Sequence, residues 1–106
     1  LRENAPQSPQ YRGQLDEWLA VVDAYDRSLA IEDNVAVRSS RALALMNYGV
    51  DADDEARRAE ALAEVERGIS SDVRDPRALL NYGSVLTLTD PPRLDEALAQ
   101  WRRILE

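Results

Sequence analysis

An all-α fold of five stacked helices is what this chain of 106 residues predicts, and three internal echoes carry the prediction. Asn47-Tyr48-Gly49 recurs 34 positions later as Asn81-Tyr82-Gly83, each copy following an apolar run that opens on Arg41-Ala42-Leu43 or Arg77-Ala78-Leu79. Glu60-Ala61-Leu62-Ala63-Glu64-Val65 returns 36 positions later as Glu96-Ala97-Leu98-Ala99-Gln100-Trp101, the two extra residues fitting an insertion at Thr89-Asp90-Pro91-Pro92. Leu15-Asp16-Glu17 with Leu19-Ala20 matches Leu94-Asp95-Glu96 with Leu98-Ala99. A period in the thirties is the mark of helical-hairpin repeats. The first, third and fifth helices are thus one kind of element and the second and fourth another. The predicted order is BABAB, two full antiparallel pairs preceded by an orphan second helix.

One domain of residues 1–106 divides into a lead-in segment over 1–8, the orphan helix over 9–32, and repeats over 35–70 and 76–106. Ser8-Pro9 offers an N-cap followed by proline at the first helical position. Leu15, Trp18, Leu19, Val22, Tyr25 and Leu29 then step by three or four, the stripe of a helix ending near Glu32. After the Asp33-Asn34 break, a second helix is predicted from Val35 to Gly49. The acids Asp51, Asp53, Asp54 and Glu55 suit the N-terminus of a third helix over 54–68, with Gly68 as its expected C-cap. Asp75-Pro76 starts a fourth helix running to about Leu88. Beyond Pro91-Pro92, the residues Leu94, Ala97, Leu98, Trp101, Ile104 and Leu105 give the fifth its amphipathic spacing.

Composition narrows the chemistry. With no Cys and no His, disulfides, thiolate nucleophiles, the usual general base and the soft metal ligands are all missing. All 13 basic residues are Arg, and Phe is absent too, a bias that suggests a GC-rich bacterial genome. A net charge of −7 repels nucleic acid and anionic membranes, and no apolar run reaches the roughly 18–20 residues of a bilayer span. Opening on Leu1 without a signal pattern and stopping at Glu106 inside an amphipathic pattern, the chain reads as an excerpt of a longer protein.

These residues resemble tetratricopeptide repeats over Leu15 to Glu106, which implies a right-handed antiparallel α-hairpin solenoid. Tyr48-Gly49 and Tyr82-Gly83 supply the aromatic and small residue of the family's first helix; Ala97 and Trp101 supply the Ala and aromatic of its second. Departures are Val65 in the place of an aromatic and Ile104 in the place of a small residue. The resemblance implies a concave groove for a peptide or a partner's helix, built from the first helices. Its positions here are Leu43, Met46, Asn47 and Val50, then Arg77, Leu80, Asn81, Ser84 and Leu88. With Arg77 as its one basic member, this set is a poor match to the chaperone-binding subfamily. The run Asp75-Pro76-Arg77-Ala78-Leu79-Leu80, Asp95-Glu96-Ala97-Leu98 and Trp101-Arg102-Arg103-Ile104-Leu105 also resembles the periplasmic repeat domain of bacterial cytochrome c maturation, whose members hold apocytochrome for haem ligation.

Sharper readings compete with plainer ones. An EF-hand starting at Asp51 needs Gly at its sixth position and an acid at its twelfth, where Ala56 and Leu62 stand, so capping and solvation explain the acids. Trp18 and Trp101 have the type of interface anchors, but their spacing with Leu19 and Leu98 favours core packing. Arg57-Arg58 and Arg102-Arg103 have the type of a phosphate site, yet each sits among acids and reads as a salt-bridged face. Tyr48 and Tyr82 are expected to pack between helices. Asn47 and Asn81 are expected in the groove, as exposed amides with no packing reason to recur. The expected function is a non-catalytic protein-interaction module without cofactor or metal, binding a peptide or helix and neither nucleic acid nor membrane. A homo-oligomer through exposed terminal helices is the further partner expectation. A structural segment whose groove is filled by its own chain is the alternative.

Overall fold

The computed structural model describes residues 9–106, with side chains from Tyr11 onward, and every regular element among them is helical. The helices are α1 (Pro9–Ile31), α2 (Val35–Asp51), α3 (Glu55–Ser70), α4 (Pro76–Thr87) and α5 (Leu94–Ile104). The predicted lead-in segment and the Ser8 cap lie outside the described residues.

Local chemistry sets the helix starts. Asn34, Asp54 and Asp75 stand at three N-caps, and each side chain accepts the backbone N–H three residues on, from Val37, Arg57 and Ala78. The acids of the 51–55 turn therefore divide their work. Asp54 caps α3, Glu55 sits in its first turn, and Asp53 takes a left-handed φ of 53° that an Asp tolerates. Asp51 does not belong to the turn at all: α2 continues through it, and its carboxylate accepts the Trp18 indole N–H at 2.9 Å. The carboxylate at that helix end is thus satisfied by α1. Gly68 is no C-cap either, because α3 runs on to Ser70. Its small size serves packing instead.

The core is built from few large side chains and many small ones. Leu45, Met46, Val65, Leu79, Tyr82, Val85 and Leu86 are fully buried, with Ala42, Ala61, Ala78 and Ala97 between them. Full burial of each large aliphatic contributes about 1.5–3 kcal/mol. The alanines and two glycines let helices approach closely. A Cβ on Gly68 would lie 2.1 Å from the Tyr82 hydroxyl oxygen, and one on Gly83 would lie 2.0 Å from the Trp101 indole nitrogen. Helix α2 packs against α1, α3 and α4, and α4 packs against α2, α3 and α5, while among the described residues the odd-numbered helices do not pack on one another. Arginine clasps bridge that outer layer. Arg41 on α2 reaches Asp26 on α1 at 2.5 Å and Glu60 on α3 at 3.1 Å. Burial pulls the Arg41 guanidinium down, but these two carboxylates hold it above its ordinary value. Arg93 ties the start of α5 to Glu66 at 3.3 Å and also pairs with Glu96.

Candidate functional site

Helices α1, α2 and α4 enclose a groove of about 230 Å³. Trp18, Val21 and Tyr25 come from one face of α1, spaced by three and four residues so that they stack along a single wall. Ser40, Leu43, Ala44 and Asn47 come from α2, while Arg77 and Asn81, one turn apart, come from α4. The walls are apolar and aromatic, the floor carries amides and a hydroxyl, and one cation stands at the rim. Among the described residues no acid lines the groove. Among the described residues Arg77 has no ion pair, whereas Arg38, Arg41 and Arg58 nearby on α2 and α3 are all paired.

Four of the nine groove positions expected from the sequence meet here: Leu43, Asn47, Arg77 and Asn81. The other five do not. Met46 is 1% exposed and belongs to the core, and half-buried Leu88 packs against that core at the end of α4. Val50 is exposed near the end of α2, outside the groove lining. Leu80 is exposed, with its backbone carbonyl accepting the Trp101 indole N–H at 3.1 Å. Ser84 turns back on its own helix, its hydroxyl donating to that same carbonyl at 3.1 Å. The physical reason is the 100° step of a helix: Met46 and Asn47 are neighbours in sequence but face different directions.

The two amides also behave differently from each other. Asn81 is buried, and its Nδ2 donates to Ser39 Oγ at 3.0 Å and Ser40 Oγ at 3.1 Å, joining α4 to α2. That bond is a packing role, so the expectation of an exposed amide fails at Asn81. Asn47 is half-buried, lines the groove, and donates from Nδ2 to the Leu43 carbonyl of its own helix at 3.0 Å. Sequence reasoning missed the α1 wall. Trp18 and Tyr25 were visible as an apolar stripe, but a stripe alone does not say which part of it the neighbouring helix leaves open.

On another side, a cavity of about 310 Å³ is lined by Arg38, Glu64, Arg67, Gly68, Ser71, Val73 and Tyr82. Glu64 accepts a hydrogen bond from the Arg67 guanidinium at 2.7 Å and forms a longer ion pair with Arg38 at 3.5 Å. The Tyr82 hydroxyl, pressed on Gly68, is buried without a hydrogen-bond partner among the described residues. Burial, with Glu64 and Asp75 adding to it against the pull of Arg38, pushes that phenol above its ordinary pKa.

Trp101 and Trp18 each combine packing with one indole hydrogen bond, and both are half-buried. The salt-bridged reading holds for three of the four paired arginines. Arg57 meets Glu60 at 3.3 Å, Arg58 meets Asp53 at 3.5 Å, and Arg103 meets Asp72, but Arg102 has no ion pair among the described residues. Among those residues, no group of three or more His, Cys, Asp or Glu is placed to hold a metal ion, and no helix is long and apolar enough to cross a membrane. Compared with known proteins, the chain matches no family model, no curated protein and no solved structure.

Proposed function

We propose that the chain is a non-catalytic interaction module, a tetratricopeptide-like right-handed stack of helical hairpins, whose groove between α1, α2 and α4 receives a peptide or a helix of a partner protein. The observation that carries this reading is the lining itself. Apolar walls from Trp18, Val21, Tyr25 and Leu43 can bury side chains, while Asn47, Ser40 and Arg77, which has no ion pair among the described residues, offer polar groups to a backbone. A peptide bound there would leave its own N–H and C=O groups without water unless such groups met them. The echoes at 34 and 36 positions, together with even-numbered helices that mediate the packing between pairs, support the stacked-hairpin reading.

Capture from a bacterial extract, followed by titration of the captured protein, tests the proposal; the narrower family resemblance makes an apocytochrome c the first purified partner to assay. Replacing Asn47 and Arg77 by Ala should weaken binding by about 1–3 kcal/mol, since each removes hydrogen bonds to a buried partner. Replacing Arg57, exposed on α3 and outside the groove lining, should change it far less. A larger loss from Arg57 than from the groove pair would place binding on the other face. A groove already filled by another segment of the same chain would give no partner for either variant.

A further inference from the structure

We infer that the open flank of α5 is a self-association surface, on which two copies of this chain pair antiparallel about a two-fold axis. At about 100° per residue, Leu94, Leu98 and Leu105 fall within a strip roughly 40° wide. They are 56%, 42% and 88% exposed, although Ala97 and Gln100 of the same helix are buried. Trp101, held over Gly83 and hydrogen-bonded to Leu80, borders the strip on its buried side, and Leu80 is itself exposed. An apolar strip of this kind at positions i, i+4, i+7 and i+11 is the seam of a helix pair.

Charge selects the occupant and its direction. Asp95 and Arg102 border the strip on its open side, one heptad apart and opposite in sign. Neither has an ion pair among the described residues, in a chain where nine other arginines do. When two copies of α5 run antiparallel, the open edge of one faces the open edge of the other. Asp95 then meets the second copy's Arg102, and by symmetry the contact forms twice. Leu98 packs beside the second copy's Trp101, and Leu94 beside its Leu105. A parallel pair would instead set Asp95 and Arg102 against the buried edge that carries Ala97 and Ile104, and neither charge would find a partner. Opposed helix dipoles favour the same direction. This inference does not rest on the groove reading, because none of its residues lines the groove.

Sedimentation equilibrium provides the test. The wild-type chain should rise with concentration from 11.9 kDa toward twice that mass. Asp95→Arg alone and Arg102→Asp alone each set like charges together twice and should weaken the dimer by roughly tenfold or more. Mixing the two variants should restore a dimer, since every contact is again between opposite charges. Leu98→Glu should abolish association in all combinations while far-UV circular dichroism keeps its helical amplitude. Should a charge reversal unfold the chain, cross-linking replaces it. The natural sequence has no cysteine, so Leu98→Cys should form a disulfide with its own copy near the axis, and Leu19→Cys on α1 should not. A wild-type chain that stays monomeric at every concentration overturns the inference. So does a dimer indifferent to the charge reversals, or one cross-linked through Leu19→Cys and not through Leu98→Cys.

Discussion

Substituting Gly83 by Ala adds one methyl group where the indole of Trp101 already lies. An added Cβ would stand 2.0 Å from Nε1, 2.4 Å from Cε2 and 2.6 Å from Cδ1 of Trp101. A rigid ring cannot yield as the end of a long flexible chain would, so either α5 moves outward or the indole turns away. Overpacking of this kind costs about 1–3 kcal/mol. Displacing the ring also breaks the 3.1 Å hydrogen bond from its N–H to the Leu80 carbonyl, which adds about 0.5–1.5 kcal/mol. Helix propensity works the other way, because Ala is favoured over Gly by up to about 1 kcal/mol in a helix interior. The net expectation is a loss of about 0.5–3.5 kcal/mol, and Gly83→Leu should lose more. Gly13→Ala is the internal control. It also lies in a helix, but among the described residues nothing stands within 4 Å of the new methyl group, so the propensity gain should appear unopposed. Thermal unfolding followed by circular dichroism measures both, at about 4–8 °C of melting temperature per kcal/mol for a chain of this size. Gly83→Ala made in a Trp101→Leu background should cost less than in the wild type, since the two sites share one contact. A Gly83→Ala protein as stable as Gly13→Ala would refute the close approach of α5 to α4.

Three further expectations follow from the buried polar groups and the ion pairs. Asn81→Ala should cost about 1–3 kcal/mol in a thermal melt, because the Ser39 and Ser40 hydroxyls lose their donor at the α2–α4 contact, whereas Asn47→Ala should be close to neutral for stability. Tyr82→Phe should leave the melting point unchanged or raise it by the equivalent of about 1 kcal/mol, since the hydroxyl it removes is buried and unpaired. Wild-type Tyr82 has a folded pKa above its unfolded value near 10, so its contribution is complete below that pH and fades as pH rises through the folded value; the Phe variant should lack this alkaline loss. At the acid end, the Arg93 hydrogen bond holds Glu96 below its ordinary pKa, so that ion pair contributes above about pH 4.5 and is lost as pH falls further. Melts of the wild type and of Glu96→Gln should therefore converge in acid and separate above that range.

The repeat at 34 and 36 positions, the stripes at helical spacing and the breaks at Asp33-Asn34, Asp51–Glu55 and Asp75-Pro76 were legible because each is a local signal. A side chain that bonds the N–H three residues on, or a run of apolar residues on one face, needs no knowledge of the rest of the chain. The five helices, nearly to their ends, followed from that. What only the tertiary structure decided was the direction in which neighbouring residues look once helices cross. Met46 and Asn47 part company on that account, one into the core and one into the groove. The matched amides Asn47 and Asn81 diverge because Ser39 and Ser40 happen to lie across from one of them alone, so identical triplets acquire different roles. Gly68 reads in sequence as a helix end, and becomes a seat for Tyr82 only because α4 crosses α3 there. Asp51 reads as a turn acid, and becomes the acceptor for Trp18 because α1 returns alongside α2. Contacts between distant residues depend on crossing angles set by the smallest side chains at each interface, and no window along the chain contains both partners.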